Sequence, residues 1–218
     1  MYPSRFRYEA PHSLDEAIGL LRDGGDYAKV LAGGQSLVPL MKLRFASPEL
    51  IVDINNVPGL SYHRADPDGV LRIGALCRHV DLEHSTLLAG TQPTMAAAAP
   101  LIADPIVRNR GTLVGSLCHA DPQGDWASVV LSLGGSLVAQ GPRGRRTIPM
   151  AEFVTGPFQN VLEPDEIAIE AVVPREVPDA EVDAVAEYIR HVLRVKGSAT
   201  RFGRALTWSS TRRKRHSR

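Results

Sequence analysis

The chain has 218 residues, 44% hydrophobic and 22% charged, an ordinary globular composition that suffices for one large domain or two small ones. No apolar run approaches the roughly 20 residues of a bilayer span and no charged-then-apolar leader opens the chain, so a cytoplasmic protein without a membrane span is expected. Cys77 and Cys118 are too few for a four-thiolate iron–sulfur cluster and read as small buried thiols.

The first helix is signposted by Ser13-Leu14-Asp15-Glu16, a capping-box pattern in which Ser13 caps and Glu16 reaches back. Leu14, Ala17, Ile18 and Leu21 recur at helical spacing, and Gly24-Gly25 ends the run. Residues 29–32 read as a short buried strand, 33–36 as a tight loop, 37–45 as a helical turn or two with Pro39 near its start, and 49–54 as another strand. Strand, loop, helix, strand makes a small βαβ-like unit. A division follows near 55–60, at Asn55-Asn56-Val57-Pro58-Gly59. Beyond it, 70–75 alternates like a strand, 79–88 and 94–103 look helical, and 108–119 reads as a glycine-containing loop. Residues 126–133 form an apolar helix candidate. Strands at 136–139 and 147–150 flank a Gly-Pro-Arg-Gly turn, and 166–173 alternates apolar and polar before Pro174.

Two loops carry the chemistry. Ala32-Gly33-Gly34-Gln35-Ser36 lies between a strand and a candidate helix. Its glycines let the backbone approach an anion, and successive N–H groups at a helix start favour phosphate. No Lys follows the glycines and no G-x-G-x-x-G is present, so neither a Walker loop nor a Rossmann fingerprint is indicated. A plain strand–helix turn explains the same residues. The second loop, Thr112-Leu113-Val114-Gly115-Ser116, again offers hydroxyls beside a glycine and leads to Asp121 and Asp125 before the apolar helix. Asp125 is either a helix N-cap or a polar ligand contact. His119 and Asp121 lack a third ligand at useful spacing, so no metal site is expected.

The first loop, continued by Leu37 and Pro39-Leu40-Met41-Lys42-Leu43-Arg44, is similar to the first FAD loop of the flavin subunits of molybdenum hydroxylases. Ile102-Ala103-Asp104-Pro105, Val107-Arg108-Asn109-Arg110-Gly111-Thr112 and Gly115-Ser116-Leu117-Cys118-His119-Ala120-Asp121-Pro122 resemble the second loop, and Glu163-Pro164-Asp165-Glu166-Ile167 resembles the closing strand. The resemblance is closest to the medium subunit of aerobic carbon monoxide dehydrogenases, alongside the xanthine dehydrogenase FAD-binding subunits. It implies an α+β, two-subdomain FAD-binding fold of the vanillyl-alcohol-oxidase/PCMH type over 1–177, with a small α/β subdomain (about 1–57) and a larger mixed sheet-and-helix subdomain (58–177). It further implies FAD held by Ala32, Gly33, Gly34, Gln35 and Ser36 on one side and Thr112, Leu113, Val114, Gly115 and Ser116 on the other, with Asp125 a polar contact and the backbone near Ile167 lining the site. No catalytic side chain and no metal ligand is implied in this chain. The implied partners are a large molybdopterin subunit and a small subunit carrying [2Fe–2S] clusters, in a hetero-oligomer that passes electrons to an external acceptor.

Two departures stand out. Members of the family carry two adjacent glycines in the second loop, whereas Val114 takes the first of those places. Were φ positive there, strain of about 1–3 kcal/mol and weaker FAD binding would follow. The second departure is a composition break. Residues 1–187 carry fifteen basic and twenty-four acidic residues, net −9, while 188–218 carry ten basic and none acidic. The segment 178–218 reads as a remnant or out-of-frame basic tail in place of a further domain. Alternatives are a non-catalytic FAD-binding or assembly remnant, or a nucleic-acid binder using the tail. The acidic body argues against nucleic acid.

Overall fold

The computed structural model describes residues 2–175; the segment 178–218 lies outside the described residues. The chain opens with β1 (Arg7–Glu9), a strand too short to show a period in sequence. Helix α1 (Leu14–Gly24) follows, capped by Ser13, whose Oγ accepts from the Glu16 N–H at 3.2 Å. Glu16 reaches back one residue farther than a capping box predicts. Its Oε2 accepts from the His12 N–H at 3.0 Å, not from Ser13. Ala17, Ile18 and Leu21 are buried, and Gly25, at φ +52°, stops the helix.

Strand β2 (Ala28–Leu31), helix α2 (Leu37–Lys42) and strand β3 (Leu50–Asp53) make the expected βαβ-like unit. β2 and β3 pair in parallel, and β1 adds to the other edge of β3, giving the order β1-β3-β2. Pro39 lies in the first turn of α2, where its missing N–H breaks no helical bond.

The next elements are strands β4 (His63–Ala65) and β5 (Leu71–Gly74), then helices α3 (His79–Glu83), α4 (Thr86–Thr91) and α5 (Pro93–Ala98). The single helix expected over 79–88 is broken because Ser85 caps a new one, its Oγ accepting from the Leu88 N–H at 3.2 Å. The segment 94–103 likewise divides, and Ala99–Leu101 forms a separate 3-10 turn.

The loop expected over 108–119 is largely helical. α6 (Pro105–Arg108) is capped by Asp104, whose Oδ1 accepts from the Val107 N–H at 2.8 Å. α7 (Leu113–His119) is capped by Thr112, whose Oγ1 accepts from the Gly115 N–H at 3.1 Å. A strong cap outweighs one interior glycine, which costs about 1 kcal/mol. α8 (Asp125–Ser132) has Gly124, not Asp125, as its N-cap. Asp121 makes the turn instead, its Oδ1 accepting from the Gln123 N–H and its carbonyl from the Gly124 N–H.

Strands β6 (Ser136–Gly141) and β7 (Gly144–Pro149) form a hairpin around Pro142 and Arg143. Helix α9 (Met150–Phe153), strands β8 (Val154–Gly156) and β9 (Gln159–Asn160), and strand β10 (Ile167–Val173) complete the described chain. The second sheet has the antiparallel order β4-β5-β10-β6-β7. β10 does not alternate as expected. It is central and buried on both faces, and Glu170 is accommodated there by Arg72 at 2.8 Å and Tyr62 at 2.5 Å. Desolvation and this Glu170 bond push the Tyr62 phenol up to about 12. Leu113, Leu117, Trp126, Val130, Leu137 and Ala171 are fully buried. Cys77 is buried and free, and burial pushes its thiol up to about 12, so it is inert packing. Among the described residues, no helix is long and apolar enough to cross a membrane.

Val114 lies in the first turn of α7 with 2% of its surface exposed. Among the described residues, the non-glycine positions with positive φ are Arg44, Ala103, Ala120 and Phe158. The strain expected at Val114 is therefore absent, because a helical backbone suits a β-branched residue and the side chain is part of the core. Val114→Gly is expected to destabilise the protein by about 2–4 kcal/mol, through lost apolar burial and helix propensity. Equilibrium denaturation checks this, and an unchanged midpoint would refute it.

Candidate functional site

The Ala32–Ser36 loop leaves the end of β2 and enters α2. Gly34 has φ +75°, a conformation that favours glycine. The peptide N–H groups of Gly33, Gly34, Gln35 and Ser36 donate to no acceptor among the described residues. Four successive unpaired donors at the start of a helix form a concentration of positive dipole.

The second predicted loop is the N-terminus of α7, and the two segments meet backbone to backbone. A Cβ on Gly33 would lie 2.4 Å from the Arg110 carbonyl oxygen and 2.7 Å from the Gly111 Cα. Gly111 is tight in turn, since its Cβ would lie 2.8 Å from His79 Cδ2 and 3.0 Å from the Val107 carbonyl oxygen. Both glycines are thus required by close approach.

Between these segments lies a cleft of about 640 Å³, within the range of cofactor sites. Ala32, Gly33, Gly34, Gln35 and Ser36 line it from one side. Thr112, Val114, Gly115 and Ser116 line it from the other, with Asp125 and Ile167. Leu113 is the exception among the predicted residues: it is fully buried in the core and does not line the cleft. Asp125 is exposed at the start of α8 and accepts no hydrogen bond from the described residues. Glu166 also lines the cleft, but Arg146 holds both its oxygens at 2.8 and 2.6 Å. This pairing holds the Glu166 carboxyl below the usual carboxylate range.

Several site residues were not legible in sequence. His79 and Trp126 both line the cleft, and the Trp126 Nε1–H donates to His79 Nδ1 at 3.0 Å. Burial, with Arg108 and Arg78 nearby, pushes the His79 imidazole down to about 4. It is neutral, with its remaining proton on Nε2. Arg78 and Asn55 stand behind the two loops, and Arg78 donates to the Arg110 carbonyl at 2.6 Å. These partners lie 23 to 47 residues apart in the chain, so no local spacing signals them.

Unpaired backbone donors, a tight glycine contact and a roomy, mostly apolar cleft fit an extended phosphate-bearing cofactor with a large planar part. Residues 4–176 match the family described as FAD binding domain in molybdopterin dehydrogenase. The chain belongs to this family. It is 45% identical to the carbon monoxide dehydrogenase medium chain of Hydrogenophaga pseudoflava, over 80% of this chain and 60% of that one. It is 38% identical to the caffeine dehydrogenase subunit beta of Pseudomonas sp. (strain CBB1), over 80% of this chain and 59% of the relative. The carbon monoxide dehydrogenase structure from Hydrogenophaga pseudoflava that lacks the Mo-pyranopterin moiety superimposes with a TM-score of 0.79 at 44% identity, covering 82% of this chain and 62% of that one. Quinoline 2-oxidoreductase from Pseudomonas putida 86 gives a TM-score of 0.78 at 33% identity, covering 81% and 61%. The chain thus spans about 60% of the length of the curated relatives it matches. As a member of this FAD-binding family it has the α+β, PCMH-type fold that its sequence motifs imply.

Two outcomes are expected. Gly33→Ala forces a Cβ into the Arg110 carbonyl and should lower stability by about 1–3 kcal/mol, as overpacking does. Chemical denaturation reads this, and a wild-type midpoint would count against the contact. The second concerns pH. The His79 pKa is depressed in the folded protein, from about 6.5 to about 4. Its contribution is therefore complete above about 6.5 and is lost as pH falls from there through about 4, with a span on the order of 3 kcal/mol. His79→Gln should flatten the stability–pH curve across that window. Parallel wild-type and variant curves would exclude His79 as the titrating group.

Proposed function

We propose that the chain binds FAD in this cleft as the flavoprotein part of a molybdenum hydroxylase, most like aerobic carbon monoxide dehydrogenase. The observation that carries the reading is the run of unpaired N–H groups from Gly33 to Ser36, set against the N-terminus of α7 across a cleft of cofactor size. These donors would hold the pyrophosphate. Thr112, Gly115 and Ser116 would close over the phosphates and ribityl chain from the opposite wall. The Asp125 carboxylate lines the cleft and has no partner among the described residues, and it would accept from a cofactor hydroxyl. The backbone at Ile167 would line the same ligand. FAD, when bound, would supply the redox chemistry between the [2Fe–2S] clusters of a small subunit and an external acceptor. Substrate oxidation would belong to a large molybdopterin subunit, in a cytoplasmic hetero-oligomer. This chain's own contribution is position, polarity and exclusion of water.

The visible absorption spectrum of the purified chain, after incubation with FAD and desalting, tests this reading. A retained flavin band is expected. A chain that is folded by circular dichroism yet retains no flavin would overturn it.

A further inference from the structure

Behind the two loops, one guanidinium reaches both. Arg78 Nη1 donates to the Arg110 carbonyl at 2.6 Å, and Nη2 donates to Asn55 Oδ1 at 2.5 Å. Asn55 Nδ2 then donates to the Ala32 carbonyl at 2.9 Å. Asn55 is itself oriented by Asp53, whose Oδ1 accepts from the Asn55 N–H at 2.9 Å and from Nδ2 at 2.5 Å. The two carbonyls so held, those of Ala32 and Arg110, immediately precede Gly33 and Gly111, the glycines at the backbone contact.

The peptide bonds are trans, so in each planar unit the carbonyl and the following N–H point in opposite directions. Fixing the Ala32 carbonyl toward Asn55 therefore fixes the Gly33 N–H away from Asn55. Gly33 lines the cleft and its N–H has no acceptor among the described residues. Without a partner on Ala32, that peptide plane loses the hydrogen bond that orients it, and glycine at 33 tolerates a wider range of orientations than other residues. Arg78 also makes no ion pair with a carboxylate among the described residues; its side chain is spent on a carbonyl and an amide.

We propose that Arg78 and Asn55 act together as positioning residues for a pyrophosphate ligand, clamping the two carbonyls so that the Gly33 N–H is presented to the cleft. The proposal rests on the FAD reading and deepens it. A guanidinium is required because its rigid fork spans two acceptors at fixed angles, whereas an ammonium supplies charge without that fork.

The test uses the full chain and two probes that share a pyrophosphate, FAD and ADP, titrated by calorimetry. Asn55→Ala and Arg78→Met are each expected to weaken both probes by about three- to tenfold, the effect of one lost hydrogen bond of this kind. The double variant should be little weaker than the worse single, because a relay fails as a unit. Arg78→Lys keeps the charge and should remain as weak as Arg78→Met. As a control, Arg72→Met breaks the ion pair to Glu170 in the five-stranded sheet. It should lower the unfolding midpoint and leave FAD affinity intact, separating stability from positioning. Wild-type affinity in Arg78→Lys would reduce Arg78 to a point charge and overturn the relay. Unchanged affinity in a folded Asn55→Ala would do the same while leaving the FAD reading standing. If Asn55→Ala does not fold, the Arg78→Lys result decides alone. A folded wild-type chain that binds neither probe removes the reading and the proposal together.

Discussion

Gly33 meets the Arg110–Gly111 peptide with no room for a side-chain carbon between them, at 2.4 Å from a notional Cβ to the carbonyl oxygen. Gly33 belongs to the segment leaving the parallel three-stranded sheet, and Gly111 to the segment entering α7 beside the five-stranded sheet. The contact therefore sets the separation of the two halves of the described chain where the cleft begins. A methyl group there would shift one backbone against the other, because neither neighbour is the end of a flexible side chain. The other features of the site are arranged around it. His79 packs against Gly111, Arg78 holds the carbonyl before Gly111, and Asn55 holds the carbonyl before Gly33.

The segment 33–36 gives the cleft its polarity through backbone N–H groups rather than through charged side chains. Trp126 and Val114 supply buried apolar wall, with Leu113 packed in the core behind it. His79 is kept neutral, and its Nδ1 accepts from Trp126. Glu166, which is ionised, is tied by two bonds to Arg146 and a third from the Glu163 N–H at 2.9 Å. An unpaired buried charge would carry a large desolvation cost, and His79 and Glu166 avoid it in these two ways. Unpaired N–H groups give anion affinity without that cost, because their partial charges are already fixed by the fold. Asp125 is the contrasting case: an unpaired carboxylate tolerated because it remains in contact with solvent.

Legibility in sequence followed the range of the interaction. Ser13 and Gly25 bound α1 through contacts within four residues, and the sequence pattern marked both. The two glycine loops were legible as motifs, and the structure places them on opposite walls of one cleft. Helix α7 was not legible. Its signal is a single cap, Thr112, followed three residues later by Gly115, which reads as a breaker until the bond between them is seen. Asp125 looked like a cap because it precedes an apolar run, but Asp121 had already made the turn. The Asn55–Arg78 and His79–Trp126 pairs depend on strands and helices that are distant in the chain, and nothing local records them. β10 misled for a related reason. Glu170 suggested an exposed face, whereas Arg72 and Tyr62 from neighbouring strands make its burial possible.

Backbone strain is gathered at the same cleft. Of the four non-glycine residues with positive φ among the described residues, Ala103 lines it, while Ala120 and Phe158 adjoin the cleft residue His119. Ala120 adopts the left-handed conformation at the end of α7, turning the chain within five residues into α8, so that one short segment supplies two parts of the cleft wall. The turn is fastened from outside. The Phe158 N–H donates to the Ala120 carbonyl at 2.8 Å, the Phe158 ring lies 5.1 Å from that of His119, and Asn160 Nδ2 donates to the Cys118 carbonyl at 2.7 Å. A glycine at 120 would relieve about 1 kcal/mol of left-handed strain. It would also remove a methyl group that is only 4% exposed and loosen the backbone where α7 hands over to α8. Where a wall must be held in place, the restricted residue is the better choice, since its limited conformational freedom is part of what keeps His119 and Asp121 at the cleft.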